Sequence, residues 1–221
     1  MITLYHTPIS LNSRRVWVAL LEKGLSFDLV EVNLPGGEQY QPEFLAMNPF
    51  HHIPVLVDDG TTVIESFAIL DYLEAKYPTP ALLPKGADAI ATVRMVQMVV
   101  LNELTTALGP LTRQFMGFGE VSPEEIDKAK QQVAVSLKFF ESKLGDQTFF
   151  GGKQLTLADI VLGIVTPWFN ELSLPLADYP GLQTWTARLM ERPAWKTTQA
   201  TPEQIEAFKA RAREMMAKRR G

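Results

Sequence analysis

Over its first third the chain alternates apolar and polar residues in short runs, and beyond that apolar residues recur every three or four positions. Ile2 to Tyr5 and Phe27 to Val32 read as strands. Between them, Arg14 to Lys23 sets Val16, Ala19, Leu20 and Lys23 at helical spacing, with Gly24 as a stop and Asn12 or Ser13 able to cap the start. Strand, helix and strand in that order predict a parallel pair joined by a right-handed crossover. Leu34 to Gln41 is a loop, and Pro42 to Met47 is at most a short helical turn, closed by Asn48-Pro49. Ile53 to Val57 is extended. Pro54 would forfeit a ladder bond inside a central strand, so it belongs at the strand's first position. Asp59-Gly60 then makes a hairpin turn, Thr61 to Ile64 returns, and a helix runs from Glu65 to Tyr77.

After Tyr77 the pattern changes. Pro78, Pro80, Pro84 and Gly86 make a stiff linker, and everything beyond it reads as helix. Val93, Val96, Val100, Leu104 and Leu108 stripe a long helix from Ala87 to about Gly109, which Pro110 should bend or divide. Ser122, Pro123 and Glu125 form a capping box with proline in the first turn, starting a helix that ends near Leu144. Thr156 and Asp159 make a second box, with Leu155 and Ile160 at the staple positions. Its helix carries Val161, Ile164, Val165 and Trp168 and is apolar nearly all round, which marks it as the central helix of its half and the cap as a stability device. Leu182 to Glu191, Pro193 to Thr198 and Pro202 to Arg219 supply further helices. The expected architecture is a thioredoxin-like α/β domain over residues 1–78 (β-α-β-α-β-β-α), a linker over 79–86, and an all-α domain over 87–221.

Composition narrows the chemistry. A chain of 221 residues holds one substantial core or two small ones. A net charge of −4 argues against nucleic acid as a main partner. The basic tail residues Lys209, Arg211, Arg213, Lys218, Arg219 and Arg220 lie among Glu206 and Glu214, with no aromatic platform beyond Phe208, and read as a solvated helix face. The absence of cysteine excludes disulfides, thiolate metal sites and a protein thiol nucleophile, but not a thiol brought by the substrate. Three histidines, two of them adjacent at His51-His52, make a poor ligand set, so no metal is expected. No apolar leader opens the chain and no apolar run approaches a membrane span, so a soluble, cytoplasmic protein without a membrane partner is expected. Phosphate loops, dinucleotide fingerprints and nucleophile elbows are missing from the sequence.

Two polar clamps stand close together in sequence. Ahead of Pro54 the backbone of Ile53 is left to face something other than a strand, and the helix start at Glu65-Ser66 has orphan N–H groups that favour an anion. Together they suit a small peptide-like ligand carrying a carboxylate.

The segments Ser10-Leu11-Asn12-Ser13-Arg14-Arg15-Val16, Asn48-Pro49-Phe50, Ile53-Pro54-Val55-Leu56, Glu65-Ser66 and Leu157-Ala158-Asp159, in this order and spacing, resemble the cytosolic glutathione transferases over essentially the whole chain. The pattern is most similar to the serine-type classes (phi, theta and zeta) and their bacterial relatives. The resemblance implies conjugation of glutathione, a co-substrate with no metal, to hydrophobic electrophiles such as isothiocyanates, or its use in reducing organic hydroperoxides. It implies that Pro54 is a cis-proline, that the backbone of Ile53 pairs with the cysteinyl part of glutathione, and that Glu65 and Ser66 hold the γ-glutamyl end. Ser10 falls where the serine classes place the hydroxyl facing the sulfur, with Ser13 the alternative donor. Asp159 matches the capping aspartate of the helical domain. A homodimer is implied, with Phe50 as an interface anchor.

Departures from the family pattern also stand out. Gln39 and Tyr40 replace a histidine and a lysine that reach the glycyl carboxylate in phi-type enzymes, and His52 replaces a glutamine that contacts glutathione. Glycyl-end binding should then be weaker, or pass to another residue such as Arg14 or Lys76. Arg14 and Arg15 oppose the dipole of the first helix. Either they are solvent-exposed, or one raises the potential over a thiolate or pairs across a dimer interface. An acceptor pocket is expected to involve Ile9, Leu11, Leu101, Asn102, Thr105, Phe115, Met116 and Phe118. Two alternatives remain: a non-catalytic glutathione-binding or scaffold protein of the same fold, and a zeta-like isomerase, whose site pattern is kept at Ser10 and Ser13 but not at Leu11 and Asn12.

Overall fold

The computed structural model describes residues 1–220, without the side chains of residues 212, 213 and 215–220. Arg213, Lys218, Arg219 and Arg220 of the basic tail therefore lie outside the described side chains. Two compact units emerge: Met1–Ala81 together with the segment from Pro193 onward, and Leu82–Arg192.

The first unit contains β1 (Ile2–His6), α1 (Leu11–Glu22), β2 (Phe27–Glu31), α2 (Pro42–Met47), β3 (Val55–Asp58), β4 (Thr61–Ile64) and α3 (Ser66–Lys76). Its sheet has the order β2-β1-β3-β4. As the crossover rule requires, β1 and β2 run parallel; β3 is antiparallel to both β1 and β4. Ile2, Leu4 and His6 are the buried side of β1, while β2 is an edge strand with most of its residues exposed. Turns at Leu34–Gly36 and Glu38–Tyr40 fill the connection to α2.

The first helix starts three residues before the expected place. Ser10, in an extended conformation, is the cap: its hydroxyl accepts the Ser13 N–H at 3.3 Å, and Asn12 and Ser13 lie inside α1. Arg14 and Arg15 are both buried, which removes the solvent-exposed alternative. Arg14 donates from Nε to the Thr198 hydroxyl at 3.1 Å and from Nη2 to the Trp195 carbonyl at 3.3 Å. These bonds fasten α10 (Pro193–Thr198) to α1, so the segment after Arg192, helical as expected, groups with the first unit although its sequence follows the second.

The second unit is helical throughout its named elements: α4 (Ala87–Val99), a π-turn (Val100–Leu104), α5 (Thr105–Met116), α6 (Pro123–Leu144), α7 (Leu157–Gly163), α8 (Trp168–Glu171) and α9 (Pro180–Met190). Pro110 does not end a helix, since α5 runs through it. The irregularity sits earlier, at the π-turn, where the Thr105 hydroxyl donates to the Val100 carbonyl at 2.7 Å. The Ser122–Glu125 capping box forms at the head of α6. All seven residues of α7 are buried, as a central helix demands, yet it stops at Gly163 and does not reach Trp168. Gly163 and the constraint Pro167 places on Thr166 both oppose continuation.

The Thr156–Asp159 cap is more extensive than its local pattern. Asp159 accepts from the Thr156 N–H at 2.7 Å, the Phe150 N–H at 3.0 Å and the Trp185 indole N–H at 2.8 Å, all buried. A third cap comes from a distant side chain: Glu141 on α6 accepts the first-turn amides of Gly181 and Leu182 on α9, each at 2.8 Å. The last helix, α11, spans Pro202–Arg220 and belongs to the first unit.

Candidate functional site

In the first unit, the loop after β1, the segment before β3 and the start of α3 carry the candidate residues. The antiparallel ladder of β1 and β3 ends at the Tyr5–Val55 pair. Ile53 lies beyond it, joined to Pro54 by a cis peptide, and among the described residues its N–H and C=O make no hydrogen bond. The preceding loop is held by Asn48, a buried residue that donates from Nδ2 to the His52 carbonyl at 2.8 Å and accepts the Phe50 N–H at 3.0 Å. His51 takes a left-handed conformation (φ 50°) within it. A strained, non-glycine backbone held by an internal staple presents a fixed edge, as a peptide ligand requires.

At the other clamp, Glu65 precedes α3 with φ 65° and caps it with no side-chain bond. The first-turn amides of α3 are left open to an acceptor from outside. Ser66 is buried, and its hydroxyl oxygen accepts from Arg15 Nη1 at 3.2 Å. The Arg15 guanidinium also lies 4.7 Å from the centre of the Phe67 ring. Burial pulls the pKa values of both Arg14 and Arg15 down to about 10, which leaves them cationic at neutral pH. No described carboxylate is within ion-pair distance of either. Two adjacent positive charges thus sit, with no carboxylate partner among the described residues, at the fourth and fifth residues of α1.

Ser10 and Ser13 fare differently. Ser10 is part-exposed, and as a cap its oxygen is an acceptor; its own O–H has no acceptor among the described residues. Ser13 is fully buried, and its Oγ has no partner. Next to this loop, His6 is buried against Trp17 with its Nδ1 unpartnered, and burial lowers its pKa, so the imidazole is neutral.

Gln39 is buried with Oε1 unpartnered, while Tyr40, His51 and His52 are exposed and form a row of rings 5.0 and 5.2 Å apart. Arg14 and Lys76, considered for the glycyl end, are committed elsewhere. Arg14 is held by α10, and Lys76 pairs with Asp58 at 2.8 Å and Asp59 at 3.2 Å.

The acceptor candidates divide between the units. Ile9 and Leu11, half-buried, belong to the first. In the second, Leu101 and Asn102 are exposed on the π-turn and Thr105 just beyond it, Phe115 and Phe118 are half-buried, and Met116 is core. Phe50 is 58% exposed. No group of side chains suited to a metal occurs among the described residues, and no described helix is long and apolar enough to cross a membrane.

Residues 4–81 match the family model "Glutathione S-transferase, N-terminal domain", and residues 96–193 match "Glutathione S-transferase, C-terminal domain". Glutathione S-transferase F10 of Arabidopsis thaliana is 32% identical over 213 residues, covering 90% of this chain and 97% of that protein. Glutathione S-transferase 3 of Zea mays is 34% identical, covering 89% and 92% respectively. Among solved structures, a glutathione S-transferase I bound to lactoylglutathione superposes with a TM-score of 0.79 at 30% identity, covering 89% of this chain and 97% of that one.

Proposed function

The chain belongs to the glutathione S-transferase family, and from that premise we propose that it conjugates glutathione to hydrophobic electrophiles by a thiolate that the Ser10 hydroxyl stabilises. The observation that carries this is the unspent Ser10 proton at the head of α1. Because Ser10 Oγ accepts the Ser13 amide, its O–H is directed away from the helix and is available to an incoming sulfur. A free thiol has a pKa near 8.5, and lowering it by about two units takes about 2.7 kcal/mol of preferential thiolate stabilisation. One hydroxyl donor and the positive end of α1 supply terms of that size. The thiol proton leaves to solvent. Sulfur then forms a bond to the electrophilic carbon, whose displaced electron pair goes to a leaving group or into a neighbouring polar bond. Ser10 stays protonated throughout, as an oxyanion-type donor.

Glutathione lies, in this reading, with its cysteinyl backbone against Ile53 ahead of the cis-Pro54, its γ-glutamyl end at Glu65-Ser66, and its glycyl end toward Gln39 and His52. Residues 1–78 carry this part, and the helical residues 87–221 contribute acceptor contacts from Leu101, Asn102, Thr105, Phe115 and Phe118. We assign the chain to the serine-type (phi, theta and zeta-like) classes, as a cytoplasmic, homodimeric enzyme of bacterial type with Phe50 at the dimer contact and peroxide reduction as a second use of the same thiolate.

The test is a pH titration of thiolate absorbance in the glutathione complex, with kcat measured beside it. Ser10→Ala should raise the thiol pKa by about one and lower kcat about tenfold, with the glutathione KM nearly kept. Ser13→Ala should leave both in place. A wild-type titration in Ser10→Ala removes Ser10 from the mechanism.

A further inference from the structure

The loop through Gln39 and Tyr40 offers no fixed positive charge to a glycyl carboxylate. Arg14 is spent on α10, and Lys76 on Asp58 and Asp59. A cation nevertheless reaches this part of the fold from the far end of the chain. α11 packs against the Leu34–Gly36 turn, three residues ahead of Gln39, and both belong to the first unit.

Both partners in that contact are fixed. Arg14 ties Thr198 of α10 to α1, and three residues later a reciprocal cap starts α11. There Thr201 Oγ1 accepts the Gln204 N–H at 3.3 Å, and Gln204 Oε1 accepts the Thr201 N–H at 2.9 Å. In the turn, Asn33 Oδ1 accepts the Gly36 N–H at 3.0 Å, and Glu38 accepts the Asn33 N–H at 2.7 Å.

Among the described side chains of α11, Ile205, Phe208 and Lys209 are the partly buried ones, spaced i, i+3 and i+4 along one face. A lysine in a basic tail reads as solvated, yet the Lys209 side chain is only 12% exposed. Its stem is covered, while its ammonium pairs with Glu206 Oε1 at 2.9 Å, a carboxylate on a side chain that is 68% exposed. An ion pair of this kind on a helix surface is weak, so a carboxylate arriving from outside can take over the ammonium. Arg211 is exposed, off the partly buried face.

We propose that Lys209 is a specificity-determining residue for the thiol co-substrate: from the partly buried face of α11 it supplies the glycyl carboxylate with the positive charge that the Gln39–Tyr40 loop lacks. The proposal rests on the glutathione reading above. It makes the last helix part of the co-substrate site, and it makes Glu206 a competitor that holds the ammonium until the carboxylate arrives.

The test is calorimetric titration with two peptides: glutathione, and its glycyl monoethyl ester, which lacks the charge at that end alone. Wild type should bind glutathione about three- to tenfold more tightly than the ester, the range of a part-exposed charge contact. Lys209→Met keeps an unbranched stem and should bring the ratio close to one by weakening glutathione alone, while Lys209→Arg should keep it. Glu206→Gln removes the competitor and should widen the ratio; at an exposed position, it decides the matter should Lys209→Met not fold. Arg211→Gln should leave the ratio in place, and a loss there as large as in Lys209→Met would show a diffuse charge effect and count against Lys209. An unchanged ratio in Lys209→Met overturns the proposal, as does a ratio that Glu206→Gln fails to raise. Equal weakening of both peptides in Lys209→Met assigns the residue to helix packing and also overturns it. Wild type that binds both peptides equally leaves the glutathione reading standing and sinks this proposal; wild type that binds neither sinks the glutathione reading itself.

Discussion

Asp159 offers a stability experiment with a sign that can be worked out beforehand. It is fully buried in the cap of α7, and burial pushes its carboxyl from 3.8 up to about 6, against the opposing bonds from Thr156, Phe150 and Trp185. The hydrogen bonding gives a structural reason for a held proton. Thr156 Oγ1 is 2.9 Å from the Phe150 carbonyl and 2.7 Å from Asp159 Oδ2, and one hydroxyl proton cannot fully serve both acceptors. With a proton on Oδ2, the carboxylic acid donates to Thr156 and the threonine donates to Phe150. A folded-state value above the unfolded one means that the native protein holds this proton where the unfolded chain has lost it. The stabilisation is complete below about pH 4 and disappears as pH rises through about 6. The rise from 3.8 to about 6 corresponds to about 3 kcal/mol.

The assay is urea unfolding followed by tryptophan fluorescence, since Trp185 is itself part of the network, for wild type and Asp159→Asn between pH 4.5 and 7.5. Asparagine cannot titrate, and its amide would face the Thr156 N–H, a cost independent of pH. The advantage of wild type over the variant should therefore shrink by about 2 kcal/mol from pH 4.5 to 7 and then level off. A difference that stays flat across this range refutes the proton assignment. One that grows with pH reverses its sign.

Two further outcomes follow from the geometry. Lys23, whose side chain is fully buried, donates to the Tyr77 carbonyl at 2.8 Å and the Pro80 carbonyl at 2.9 Å and pairs with Glu74 at 2.7 Å. Lys23→Met should cost about 3–5 kcal/mol in chemical unfolding, because it strips three acceptors at once, and a loss under 1 kcal/mol would show the clamp to be unimportant. Phe50→Ala should shift the sedimentation distribution toward monomer at low micromolar concentration, the burial of such a ring being worth about 1.5–3 kcal/mol; an unchanged distribution removes Phe50 from the contact.

Local signals were enough for much of the fold. The hairpin at Asp59-Gly60, the Ser122–Glu125 and Thr156–Asp159 boxes and the strand–helix–strand opening all depend on residues within a few positions of one another, so their spacing is written in the chain. The start of α1 was less secure, because Ser10, Asn12 and Ser13 are all competent caps and only the path of the chain out of β1 selects Ser10. Partners distant in sequence were out of reach. Trp185 closes the Asp159 network from 26 residues away, Thr198 holds Arg14 from 184, and Ser66 takes the Arg15 bond from 51. Exposure of Arg14 and Arg15 stayed open in the sequence, because the dipole and the desolvation of a charge oppose burial near a helix start while a distant partner can favour it. Only the packed structure, which sets Thr198 of α10 and Ser66 of α3 against these two arginines, decides that both are buried.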